Sequence, residues 1–171
     1  MNRGGTFVFL SKNIRAYINK LCPMERKLSI FDIDGDGSED EATLLSLSSE
    51  YLEAAITLNN VPPTKVNYWV VTYYLLGHAA ELSLKSYLFK HELTTSDLKK
   101  VGHDLIGLMD KAIEFSPDDF DFNAIRELSP IYKGKDLEYR RKKKQMFPAV
   151  DTLIKEVKKL QSIAFNKVVE W

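Results

Sequence analysis

Between Tyr68 and Lys90 the chain is apolar at most positions, yet one narrow line of polar side chains runs through it: Tyr74, His78, Glu81 and Lys85. At about 100° per residue these four fall within roughly 60° of one another on a helix. Val71, Leu75, Leu76, Ala79, Ala80, Leu82, Tyr87 and Leu88 cover most of the remaining circumference. A helix that is apolar nearly all round is buried, so its polar line must find internal partners or face a wet cleft. The spacing predicts a long central helix from about Thr64 to Glu92, preceded by the stop signal Asn59, Asn60, Pro62 and Pro63.

Helical spacing recurs on both sides of this segment. Leu52, Ala55, Ile56 and Leu58 predict a helix capped by Ser48 or Ser49. Thr94, Thr95 and Ser96 read as a turn. Gly102, His103 and Asp104 make a break in which Asp104 caps a helix carrying Leu105, Leu108, Met109, Ala112 and Ile113. A further helix is expected over 120–132, capped by Ser116 or Asp118. Pro148 opens a last one, with Val150, Leu153, Ile154, Val157, Leu160, Ile163, Ala164 and Val168 at steps of mostly three and four. Nothing alternates with period two, so the expected fold is all-α: an up-and-down helical bundle of about five core helices over residues 44–171. Residues 1–43 read as an extension, with Ile14, Tyr17, Ile18 and Leu21 at helical spacing, a stop at Pro23 and an acidic loop.

A chain of 171 residues with 44% hydrophobic content supports one good core. Its formal charge is zero, but unevenly laid out: Asp32, Asp34, Asp36, Glu39, Asp40 and Glu41 are acidic, whereas Lys133, Lys135, Arg140, Arg141, Lys142, Lys143 and Lys144 are basic. A partner feels the local field within about 8–10 Å. The single cysteine, Cys22, cannot form an internal disulfide, and Phe7–Leu10 is too short an apolar run for a signal core or a membrane span. These features predict a cytoplasmic protein with no membrane partner.

His78-Ala-Ala-Glu-Leu-Ser-Leu-Lys85 on a buried helix, followed by Gly102-His103-Asp104-Leu105 opening the next, resembles the HEPN (higher eukaryotes and prokaryotes nucleotide-binding) domains. The resemblance spans roughly 48–165, and its sharp matches are Glu81, Leu82, Leu84, Lys85, His103, Asp104 and Leu105. It implies a four- or five-helix bundle that dimerises, a connection to RNA or nucleotides, and a setting in prokaryotic defence or toxin–antitoxin systems, where many members are metal-independent ribonucleases. Catalytic members carry an arginine followed a few residues later by a histidine. Here no arginine lies four to seven positions before His78, His91 or His103, and the nearest analogue is Lys85 with His91.

Two chemistries are open to the polar line. Glu81 can hold a histidine tautomer while Lys85 meets phosphate, making His78, Glu81, Lys85 and His103 the catalytic candidates; or Glu81 and Lys85 form an ion pair that satisfies a buried seam. His103 at a helix start can face a cleft, whereas Asp104 reads as a cap. Arg140, Arg141, Lys142, Lys143 and Lys144 are the candidate nucleic-acid contacts, with Tyr132 and Tyr139 adding stacking. In the acidic loop, Asp32, Asp34, Asp36 and Gly37 match the start of a calcium loop, but its twelfth position is Thr43 rather than glutamate. Its local likeness to an aspartyl-phosphatase motif lacks the parallel sheet such enzymes need. The loop reads as solvated acid, and no metal or cofactor is expected. The expectation is a homodimer that binds RNA or a nucleotide, with a cognate protein as a further partner. A divergent metal-independent ribonuclease and a non-catalytic dimerising module are the alternatives.

Overall fold

The computed structural model describes residues 40–62, 66–139 and 145–169. The described residues form six helices and no strand: α1 Glu41–Asn59, α2 Trp69–Lys90, α3 Thr95–Val101, α4 Leu105–Ile113, α5 Asn123–Lys133 and α6 Val150–Val169. The all-α helical bundle expected from the apolar spacing is the observed fold. The expectations placed on residues 1–39, including the acidic loop up to Glu39, lie outside the described residues, as do Arg140–Lys144.

The central element is α2, which packs against α1, α4, α5 and α6. Leu76, Ala79, Ala80, Leu84 and Leu88 are fully buried along it, joined by Leu105, Leu108 and Met109 of α4, Ile125 and Leu128 of α5, and Leu153, Val157 and Leu160 of α6. Small residues on α2 let its neighbours approach closely. The Ser48 hydroxyl of α1 donates to the Ala79 carbonyl at 2.8 Å and lies 2.7 Å from Ser83 Oγ, while Gln161 Nε2 of α6 donates to it at 2.8 Å. One hydroxyl proton and two lone pairs are thereby all used, with Ser83 as donor, and three helices are joined at a fully buried hydroxyl.

Several expected boundaries move, each for an identifiable reason. The first helix begins at Glu41 with Asp40 as its cap, Oδ1 accepting from Thr43 N at 2.6 Å. Ser48 is therefore no cap but a buried interior position, and Ser49 bonds back to the Leu45 carbonyl. The central helix starts at Trp69, later than Thr64. The expected turn at Thr94–Ser96 is the start of a short helix, because Thr94 Oγ1 accepts from Asp97 N and supplies a cap. Neither Ser116 nor Asp118 caps α5. Its free amides at Ala124 and Ile125 are met instead by the two carboxylate oxygens of Glu156, reaching over from α6 at 3.1 and 3.0 Å. Before α6, the Tyr73 hydroxyl donates to the Pro148 carbonyl, and Phe147 packs on the rings of Trp69 and Tyr73.

Candidate functional site

Glu81 lies on the inner face of α2 with 1% of its surface exposed. A carboxylate there must be fully bonded or it destabilises the fold by several kcal/mol. Its two oxygens divide the work. Oε1 accepts from Lys85 Nζ, one turn on, at 2.5 Å. Oε2 accepts from the Tyr132 hydroxyl of α5 at 2.6 Å and from His103 Nδ1, in the turn between α3 and α4, at 2.9 Å. His78 Nδ1 lies 3.8 Å from the same Oε2 and 2.9 Å from Tyr132 Oη. The His78 ring is held further by Tyr51, edge-on at 4.4 Å between centroids, and by Tyr74, nearly parallel at 6.1 Å.

Local sequence explains how these groups converge. His78, Glu81 and Lys85 share one face by helical spacing. His103 is delivered by the preceding glycine: Gly102 has φ +64° and ψ −125°, a conformation that a side chain strains, and it reverses the chain between α3 and α4. Tyr132 approaches because Gly77, one turn before Glu81, has no side chain. A Cβ built there would stand 2.6 Å from Tyr132 Cδ2.

The electrostatics follow from the bonding. Burial alone would raise the Glu81 pKa, but the neighbouring His78 and hydrogen bonds from His103, Lys85 and Tyr132 outweigh it and hold the carboxyl well below the usual range. Tyr132 is pushed well above the ordinary phenol value by burial, then by the negative charge of Glu81 and the hydrogen bond to it. The cluster therefore contains an ionised acid and a hydroxyl that remains protonated. Beside it, Asp104 is lowered by Lys133, whose Nζ stands 2.5 Å from Oδ2, while its Oδ1 accepts from Gly107 N at 3.2 Å.

All four catalytic candidates of the sequence, His78, Glu81, Lys85 and His103, thus meet in one place, and Asp104 caps α4 as expected. The other candidates divide. Arg140–Lys144 lie outside the described residues. Tyr139 is exposed, but Tyr132 is not available for stacking on a base: it is buried, with its hydroxyl on Glu81. Its place was encoded, since Ile125, Leu128 and Tyr132 share the buried face of α5, but nothing local distinguishes a core tyrosine from a carboxylate's partner. His91, the second half of the Lys85–His91 analogue, stacks on Phe115 at 4.2 Å and is separate from the cluster. Among the described residues no group of three or more metal-ligating side chains could hold an ion, and no helix is long and apolar enough to cross a membrane.

Fold and site together define a helical bundle built around a buried carboxylate that clamps two imidazoles, a lysine and a phenol. Comparison with protein-family models, with curated proteins and with solved structures finds no match.

Proposed function

We propose that the protein is a HEPN-like RNA- or nucleotide-binding protein of a prokaryotic defence or toxin–antitoxin setting, working in the cytoplasm as a homodimer, with a cognate protein as a further partner. The observation that carries this reading is the meeting of Glu81, Lys85 and His103. These are among the residues on which the family resemblance rests, and although Glu81 and His103 lie on different elements, their side chains touch at 2.9 Å. A second feature supports it. The chain leaves α5 directly beside the cluster at Tyr132, and the stretch that follows carries Lys133, Lys135 and then Arg140–Lys144. Within the cluster His103 is half exposed, so one imidazole is open to a ligand from solvent.

The test is a titration with labelled single-stranded RNA across a range of salt concentrations. If Arg140, Arg141, Lys142, Lys143 and Lys144 each neutralise one phosphate, log K falls against log salt with a slope of about −3.5 per copy of the segment. Replacing all five by glutamine flattens the slope and weakens binding alike for every sequence, because phosphate contacts position a strand without reading its bases. Unchanged affinity and slope in that variant would remove the basic segment from the function.

A further inference from the structure

We propose that the small cavity between α1, α2 and α3 is a binding site for a short branched aliphatic carboxylate, and that Lys85 couples this site to the Glu81 cluster. The proposal does not depend on the RNA or nucleotide reading.

The cavity measures about 120 Å³ and is lined by Leu44, Lys85, Phe89, Thr95, Leu98 and Lys99. Leu44 of α1 and Leu98 of α3 are almost fully buried, and Phe89 of α2 is partly buried against the core, so three elements contribute to one apolar wall. Lys85 and Lys99 add positive charge, and none of the lining residues is acidic. The acids close by are already engaged: Glu41 lies 3.8 Å from Lys90, Asp97 3.0 Å from Lys100 and Glu81 2.5 Å from Lys85. Lys99, exposed on α3, forms no ion pair among the described residues. The Lys85 ammonium has three protons and places one of them on Glu81 Oε1, and among the described residues it makes no other hydrogen bond. Its side chain is 18% exposed, so two protons remain for a ligand in the cavity.

An apolar wall beside two cations selects an anion with an apolar tail, and the size of the cavity limits that tail. One water takes about 30 Å³ of the liquid, so the space holds roughly four such volumes. That is well below the ~300 Å³ at which pockets for drug-sized ligands begin. A branched tail of about four carbons fills it against Leu44, Phe89 and Leu98, leaving the carboxylate to accept charge-assisted hydrogen bonds from Lys85 and Lys99. An inorganic anion would leave the apolar wall unmet. Lys85 carries the effect inward, because its bonded proton lies on the carboxylate that also accepts from His103 and Tyr132. An anion that draws the ammonium toward the cavity weakens its bond to Oε1, and His103 on the other oxygen feels the change. By linkage, a ligand at the cluster that shifts Lys85 alters the affinity for the carboxylate by the same factor as the carboxylate alters its own.

The experiment titrates isovalerate into the isotope-labelled full chain at constant pH and ionic strength, followed by NMR, with isovaleramide and acetate as controls. The expected result is saturable shifts at Leu44, Phe89 and Leu98 with a Kd of about 1 mM, the range open to so small a ligand. The neutral amide, lacking the charge, and acetate, lacking the tail, each bind about tenfold more weakly or worse. Lys99→Gln, on the exposed side of the cavity, weakens isovalerate by about 3- to 10-fold and leaves the amide unchanged. The ring resonances of His103 move with the same midpoint as Leu98, and in Lys85→Gln that response is lost. Shifts that do not saturate, or that fall elsewhere in the bundle, overturn the site. Equal binding of the amide or of acetate overturns the ligand class, as does unchanged affinity in Lys99→Gln. Saturation that leaves His103 unmoved in the wild type overturns the coupling. If Lys85→Gln does not fold, the wild-type His103 response and Lys99→Gln still decide both parts.

Discussion

The fate of one carboxylate controls much of this molecule. Three donors meet on Glu81, and removing it leaves Lys85, His103 and Tyr132 without their shared acceptor. Breaking a buried ion pair from one side costs about 3–5 kcal/mol, whereas removing both charges costs less. Glu81→Ala is therefore expected to lower unfolding stability by about that amount, and Glu81→Ala with Lys85→Met to recover part of it, as read by urea denaturation. The pH dependence has a definite sign. The folded carboxyl titrates below its unfolded value of about 4.3, so its stabilisation is complete above that pH and is lost as pH falls toward the folded pKa. Glu81→Gln should flatten stability against pH in this acidic window. A wild-type profile equally flat there would mean that the ionised form is not what the bundle favours.

At the scale of elements, the approach of α5 to α2 depends on a missing side chain. Alanine is the better helix former by about 0.5–1 kcal/mol, so an exposed glycine at this place would be a liability. Gly77 is not exposed: a Cβ there meets Tyr132 Cδ2 at 2.6 Å and Cε2 at 2.9 Å. Gly77→Ala is expected to displace the ring, destabilise the fold by about 1–3 kcal/mol and detach the Tyr132 hydroxyl from Glu81. A variant more stable than wild type in thermal melts would show that α5 yields freely. This contact also marks how far the sequence could be read. The long helices α2 and α6 were legible because many apolar positions repeat with one period, and His78, Glu81 and Lys85 were legible as polar exceptions to it. Their common partner Tyr132 was not, since it obeys the apolar pattern of α5 and its polar atom matters only once α2 is beside it. Ser48 misled for a related reason. As a small hydroxyl before an apolar run it has the form of a cap, but its partners Ala79, Ser83 and Gln161 are distant in sequence. Thr94 misled in the opposite direction, because the same chemistry that makes a turn also starts the helix α3.

For the whole molecule, the question is what covers its remaining apolar surface. Trp69, Val71, Phe165 and Val169 are each about half exposed although large and apolar, and Met146 is almost entirely so. Scattered apolar exposure is ordinary for a monomer, but Val61 and Trp69 lie together around the concavity before α2, beside the apolar core of the described residues. A second copy related by a two-fold axis is the most economical cover, since one self-complementary patch then serves both chains. Light scattering at micromolar concentration is expected to give a mass near twice 19.6 kDa. The same assembly makes a second, independent demand on the RNA titration. If one strand crosses both copies, ten basic residues rather than five contribute, and the salt slope approaches about −7. The slope should then fall back toward −3.5 when the protein is diluted below its dimer dissociation constant. A mass of 19.6 kDa together with a slope that does not change on dilution would remove the dimer and leave each bundle acting alone.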